Sequence, residues 1–252
     1  MIMEINPNLR VSTMTLISDL STDIDLKKLF DHITVDDIVK YIEYGSENQK
    51  GEIKRKNPRK TKTKKFFYNQ ITAHIYDDKI VNVKIFNNGR IQMTGLKSND
   101  QGVRVIQNLL NKIYEITVEK REEIFTNINP ESKNSKIVLI NSDFDIGFKI
   151  KREILQRLVI SKGYYSSYEP AIYPGVNTKY YFNKAKQTNG VCNCCEPCDG
   201  KGKNGLCKKI TVAIFNSGKI IITGGQSYEQ LNTAYHFITD LIKENKEELI
   251  LK

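Results

Sequence analysis

Apolar and polar residues alternate through VNVKIF (residues 81–86) and again through RIQMT (90–94). A period of two marks strands with one buried face, and the glycine at 89 marks a turn joining them. After Thr94 and Gly95 the period lengthens. The run VRVIQNLLNKIYEI (103–116) carries apolar residues three and four positions apart, which predicts a helix lying on one face of the sheet. The same succession returns later in the chain. Segment 85–101, IFNNGRIQMTGLKSNDQ, matches segment 214–230, IFNSGKIIITGGQSYEQ, at nine of seventeen positions with a constant offset of 129, and a second helical run, LNTAYHFITDLI, follows. Ser98 with Gln101, and Ser227 with Gln230, have the spacing of a capping box, in which the hydroxyl accepts from an orphan helix amide and the glutamine reaches back. Two further helices are predicted at matching places early in each half, over residues 24–33 and 148–160. Each half thus reads strand, helix, several antiparallel strands, long helix. A period this long argues against a solenoid and for two quasi-equivalent halves sharing one sheet.

Two insertions break the symmetry. Residues 44–65 are almost devoid of apolar side chains and are expected to be a disordered basic insertion in the first half, 1–128. Residues 184–209 form a cysteine-rich insertion in the second, 129–252. The charge is unevenly spread. The chain carries +10, but residues 54–65 (KRKNPRKTKTKK) hold eight basic residues and no acid, so the remainder is nearly balanced at +2. A surplus of this kind favours a polyanion, with nucleic acid ahead of membrane because no basic amphipathic helix accompanies it. The basic stretch itself reads first as a linker with incidental phosphate attraction, ahead of an import signal or a DNA-clamping arm. No apolar run reaches the 18 residues of a membrane span and no signal-peptide core opens the chain, which is expected to be soluble and intracellular.

The stretch SSYEPAIYPGV (166–176), followed after the insertion by ITVAIFNSGKIIITG, closely resembles the second repeat of TATA-binding proteins, and VNVKIFNNGRIQMTG resembles the first. VSTMTL, DIDLKKLFDHI and DIGFKI resemble the family's opening strand and the starts of its two early helices. Rich Lys, Asn and Ile usage, with the cysteine insertion, resembles the divergent versions encoded by large DNA viruses. The resemblance implies an α+β fold: a saddle of two pseudo-symmetric repeats sharing a curved, ten-stranded antiparallel sheet, with helices on the convex face and double-stranded DNA held by its minor groove on the concave one. Minor-groove kinking by apolar wedges is a known behaviour of this family. The implied function is a transcription initiation factor, not an enzyme, that binds and bends AT-rich promoter DNA and recruits other initiation factors and RNA polymerase. It would work in the nucleus or in a viral cytoplasmic factory, with no membrane or small-molecule substrate.

Strand parity sets the candidate face. With Val83, Ile85, Ile91 and Met93 towards the helices, Lys84, Phe86, Arg90, Gln92 and Thr94 face the other way. This needs a three-residue loop at Asn87-Asn88-Gly89; a two-residue turn would set Ile91 beside Phe86, and the family geometry selects the first. By the same parity Thr211, Ala213, Phe215, Lys219, Ile221 and Thr223 line the second strand pair. The resemblance places wedges at Tyr68, Phe86, Tyr173 and Phe215, two of them tyrosines where the family has phenylalanine. It places phosphate contacts at His74, Arg90, Lys179 and Lys219. The family's central asparagines are replaced by Leu9 and Leu139, beside Val11, Thr13 and Asn141, while Thr94 and Thr223 are retained. Because minor-groove readout mainly separates A·T from G·C, these exchanges are expected to alter TATA preference more than groove binding.

The cysteines fall as Cys192-x-Cys194-Cys195-x2-Cys198-x8-Cys207. Clustered thiolates in a Gly-rich loop suit a structural zinc, with Cys192, Cys194, Cys198 and Cys207 as ligands and Cys195 as the alternate; the other reading is an exposed loop of free thiols. By resemblance this loop occupies the second stirrup. Two other functions stand beside DNA binding: a protein-interaction platform on the same fold, suggested by the polar exchanges on the concave face, and an enzyme, for which only the cysteines speak.

Overall fold

The structure is a computed structural model, describing residues 4–52, 67–183, 185, 189–202 and 204–251. The basic stretch 54–65 lies outside the described residues. The chain divides into two compact units, one of residues 14–138 and one of residues 1–13 with 139–252. The sequence reading divides it at 128/129 and keeps the N-terminus with the first half.

In the unit of residues 14–138 the elements are β1 (Arg10–Asp19, from Met14 on), α1 (Leu26–His32), β2 (Val39–Tyr44), β3 (Asn48–Gly51), β4 (Gln70–Asp77), β5 (Lys79–Phe86), β6 (Arg90–Leu96), α2 (Asn99–Tyr114), α3 (Val118–Ile124) and the start of β7 (Lys133–Asp145). Its antiparallel strands run in the order β3-β2-β4-β5-β6-β1. In the other unit β7 is followed by α4 (Arg152–Ser161), β8 (Tyr165–Glu169), β9 (Tyr173–Phe182), β10 (Lys208–Ile214), β11 (Lys219–Gly225), α5 (Tyr228–Glu244) and α6 (Lys246–Leu249), with strand order β7-β11-β10-β9-β8. Each unit is therefore α+β.

The alternation read from the sequence is the alternation of burial. In β4, β5 and β6 the residues Ile71, Ala73, Ile75, Val83, Ile85, Ile91 and Met93 are buried against α1 and α2, which supply Leu29, Val105, Leu109 and Ile113. In the other unit Val176, Ile210, Val212, Ile220 and Ile222 are covered by α4 and α5 through Leu155, Val159, Leu231 and Ile238. Burying each such aliphatic side chain contributes about 1.5–3 kcal/mol, which makes these layers the main source of cohesion.

The hairpin turns are equivalent. Gly89 N–H donates to the Phe86 carbonyl at 3.0 Å, and Gly218 N–H to the Phe215 carbonyl at 3.0 Å. Both glycines have positive φ, +75° and +90°, and a Cβ there would overlap the Thr22 and Phe148 carbonyl oxygens respectively. The loop is thus the three-residue form, with the chain that enters α1 or α4 passing directly behind it. Ile24 N–H donates to the Asn87 carbonyl at 2.7 Å and Ile150 N–H to the Asn216 carbonyl at 3.0 Å, fastening those entries in the same way.

The long helices start where the serines predict. Ser98 and Ser227 accept from Gln101 and Gln230 N–H, but the glutamine side chains return one residue further, to Lys97 and Gln226 N–H, each at 2.8 Å. Three features differ from expectation. The described residues hold eleven strands where the resemblance implies ten. The additional strand is β3, within the stretch read as disordered: residues 48–51 pair with 41–44 because a ladder is made by backbone groups and needs no apolar side chain. Lys50 also fixes the strand, its Nζ donating to the carbonyls of Phe30, Asp31 and Ile33 at 2.6, 2.9 and 3.0 Å, where a cation satisfies the exposed end of α1. The short helices α3 and α6, finally, carry no clear periodic signal and close each unit by backbone pairing with the entries to α1 and α4.

Candidate nucleic-acid interface and metal centre

In both units one sheet face is packed by helices and the other is open. On the open face of the first, register sets Tyr41, His74, Asn82, Thr94 and Thr15 in one row, and Glu43, Thr72, Lys84, Gln92 and Ile17 in the next. Phe86 faces out beside Gln70 at the hairpin end, and Arg90 is exposed across the turn. In the second unit one row holds Tyr165, Lys179, Thr211, Thr223 and Asn141, and the next Ser167, Asn177, Ala213, Ile221 and Asp143. Phe215 and exposed Lys219 close the hairpin. Every side chain that parity assigned to strands β5, β6, β10 and β11 of this face is therefore on it.

The remaining candidates divide. Tyr173 meets Phe215 edge-on, ring centroids 5.7 Å apart, so the second pair of wedge candidates is assembled. Tyr68 does not reach Phe86. It is 67 % exposed before β4 and turns its ring against Tyr44 at 6.3 Å. His74 lies tilted against Tyr41 at 5.3 Å. Lys179 is half-buried and donates to Thr211 Oγ1 at 2.9 Å; burial, and then Lys209, hold its pKa below the ordinary lysine value. Leu9 is buried, 5 % exposed, in the turn before β1, so it presents no side chain where the resemblance sets an asparagine. Val11, Thr13 and Leu139 are half-buried, and Asn141 Oδ1 accepts from the Thr223 hydroxyl. Thr15 and Ile17 belong to the face but were not singled out in the sequence, although alternation along VSTMTLIS carries them there.

One acid on the second open face is neutralised locally. Arg10 Nε and Nη2 both donate to Asp143 Oδ2, at 3.1 and 2.7 Å, with the Arg10 side chain largely exposed. Asn177 Oδ1, beside Ala213, is buried without a hydrogen-bond partner.

The cysteine segment is pinned to β9 and β10 by Tyr181 N–H to the Gly190 carbonyl and Lys209 N–H to the Gly200 carbonyl, each at 2.8 Å. Cys192, Cys194, Cys198 and Cys207 come together with all four Sγ atoms within 4.8 Å of one another, while Cys195 is exposed and outside the group. The Cys194–Cys207 and Cys192–Cys207 sulfurs are 3.5 and 3.7 Å apart. A tetrahedral zinc with Zn–S near 2.3 Å would hold its sulfurs about 3.8 Å apart, so the group has the dimensions of such a site. The sulfurs also receive N–H donors of the kind that orient metal thiolates: Leu206 N–H approaches Cys194 Sγ at 3.4 Å and Asn183 Nδ2 approaches Cys207 Sγ at 4.0 Å. The Leu206 bond, then the Cys207 thiol, lower the Cys194 pKa to about 7. Burial foremost, and then hydrogen bonding with Cys194 and Cys192, push Cys207 up to about 12. The four cysteines can hold a metal ion.

A two-layered unit with one open, Thr- and Phe-bearing sheet face is the architecture of the TATA-binding-protein fold. The chain matches the solved Methanococcus jannaschii TBP with a TM-score of 0.57 over 94 % of this chain and 99 % of that one, at 21 % identity. Residues 134–245 match the family model "Transcription factor TFIID (or TATA-binding protein, TBP)". A TATA-box-binding protein-like protein of Acanthamoeba polyphaga mimivirus is 29 % identical over 92 % of this chain and 64 % of its own length. The TATA-box-binding protein of Methanococcus maripaludis is 23 % identical over 96 % of this chain and 98 % of its own length. That of Candida albicans is matched over 51 % of its length. The chain has the TATA-binding-protein fold and is similar to TATA-box-binding proteins and to a TATA-box-binding protein-like protein of a mimivirus, and it spans under two thirds of the length of the viral and yeast relatives.

Proposed function

We propose that the protein is a transcription initiation factor that binds AT-rich duplex DNA through the minor groove, bends it, and recruits further initiation factors. The observation that carries this reading is the matched register of the two open faces: Phe86, Arg90 and Thr94 in one unit, Phe215, Lys219 and Thr223 in the other. Ring edges at the hairpin ends suit partial insertion between base steps, cations beside them suit phosphates, and threonines in the strands suit the shallow donor and acceptor pattern of A·T pairs. DNA binding would engage Tyr68, His74, Lys84 and Gln92 in the first of these units, and Val11, Thr13, Leu139, Asn141, Tyr173, Lys179, Ala213 and Ile221 in the other. Gel-shift competition between AT-rich and GC-rich duplexes across a salt series tests it. Tighter AT-rich binding that weakens steeply with salt is expected, and absence of binding at low salt contradicts it.

A second reading, a protein-interaction platform of the same fold, is favoured by one observation: several polar groups on the second face already satisfy each other, as in Thr223 with Asn141, Lys179 with Thr211, and Arg10 with Asp143. A folded protein that captures initiation factors but not duplex would support it.

We further assign Cys192, Cys194, Cys198 and Cys207 as ligands of a structural zinc. The thiolates would stiffen a loop that in this family's geometry lies at the second stirrup, where a rigid knob would shape the contact with a protein partner.

A further inference from the structure

The open face of the unit of residues 14–138 ends in a concavity of about 930 Å³ beside the β5–β6 hairpin. Phe86, Ile17 and Ile91 supply its apolar wall, and five of the other ten lining residues are amides. Asn69, Asn87, Gln92 and Asn134 line it, and their side chains make no hydrogen bond among the described residues. Arg90 and Lys136, both exposed, add positive charge to the lining. The single acid, Asp19, is already engaged through Oδ1 with Ser21 N–H at 2.7 Å. Apolar ligands and lipid tails call for predominantly hydrophobic side chains, whereas ten of the thirteen residues lining this cavity are polar or charged. Side-chain amides present a donor and an acceptor side by side, as the edges of a nucleobase require; a phenyl ring offers a stacking surface, and cations meet phosphate.

We propose that this cavity receives one nucleotide of a bound DNA strand, unstacked at the Phe86 step. Its base would lie against Phe86 and the free amides, and its phosphate would be met by Arg90 and Lys136. The proposal rests on the DNA-binding reading and adds an asymmetric base pocket to it. Asn134 has φ of +54°, a conformation that asparagine tolerates and glycine adopts freely, so its amide can be removed without backbone conflict.

The test uses the full chain and AT-rich duplexes carrying 2-aminopurine at one position at a time, with fluorescence anisotropy of a remote label reporting binding. One position near an end of the footprint is expected to brighten several-fold at saturation. That brightening is expected to be lost in the double variant Asn134→Gly, Lys136→Met, with anisotropy showing that the duplex remains bound. Brightening that persists in the double variant would mean that the kink alone unstacks the base, and would overturn the pocket. A bound duplex with no brightened position overturns it as well while leaving the DNA-binding reading intact, whereas no duplex binding removes both. Parallel titration with dAMP and dTMP distinguishes the other source of the same chemistry: saturable binding of a free nucleotide with no brightened duplex position overturns the strand version.

Discussion

Tyr173 packs edge-on against Phe215, ring centroids 5.7 Å apart, so the two rings at the end of the second open face support each other rather than standing singly. Such a pair contributes about 0.5–1.5 kcal/mol beyond area burial and holds Phe215 at the hairpin end. Replacing Phe215 by Ala should weaken duplex binding by about tenfold if the ring gains one partly inserted base step, and should reduce bending more than affinity. Tyr173→Phe should preserve both, because the phenol oxygen takes no part in the ring contact. Gel-shift affinity and bend angle measured on the same variants check this.

The zinc assignment makes a separate prediction. Protein purified without chelator is expected to carry one zinc per chain by elemental analysis. Cys198→Ser should abolish it, while Cys195→Ser should leave it unchanged. Equal zinc in the two variants, or none in the wild type, contradicts the ligand set.

How far this site was legible in the sequence depends on which groups make each feature. Burial alternation along 81–86 and 90–94 was readable because side chains on a pleated strand must point to opposite faces. The three-residue turn at 87–89 was selected by the family resemblance, because alternation alone leaves a two-residue turn open. The four thiols were readable from spacing, since a tight loop brings near neighbours together whatever lies around it. Strand β3 was not, because Asn48–Gly51 pairs through its backbone and is fastened by one ammonium group from Lys50. The ring contact of Tyr68 was not legible for a related reason: nothing local in FFYNQ shows that Tyr44, across the insertion, offers it a ring. The internal bonds of Lys179 and Asn141 depend on cross-strand neighbours thirty and eighty residues away. No pattern within a single segment encodes them.

Lys50 supplies a stability prediction. Its ammonium satisfies three carbonyls at the end of α1 and lies 4.8 Å from the Phe30 ring centre, although burial holds its pKa below the ordinary value. Lys50→Met keeps the apolar stem but leaves those carbonyls unmet, and should cost about 1–3 kcal/mol in chemical denaturation. Lys50→Arg should recover part of the loss.

Asp36 and Lys112 give a pH dependence. Lys112, buried at the end of α2, bonds Asp36 and Glu115, and these hydrogen bonds raise its pKa. For Asp36, partial desolvation acts upward but is outweighed by the bonds from Lys112 and from Val39 and Ile38 N–H, so the net shift is downward. A carboxylate with a lowered folded-state pKa stabilises above its unfolded value and loses that contribution as pH falls through the folded one. Wild-type stability should therefore drop below about pH 4 by more than that of Asp36→Asn. The lysine end works oppositely: its contribution is complete below the ordinary lysine pKa and is lost as pH rises through the raised value. Denaturation midpoints measured at pH 3, 7 and 11 for wild type and Asp36→Asn separate the two ends.

The central claim is that the two open sheet faces hold and bend DNA. Its most direct measurement is fluorescence resonance energy transfer between dyes at the two ends of an AT-rich duplex, titrated with the full chain and repeated with Phe86→Ala and Phe215→Ala. A saturable rise in transfer that either variant diminishes is the predicted result. Saturated binding with unchanged transfer would contradict it.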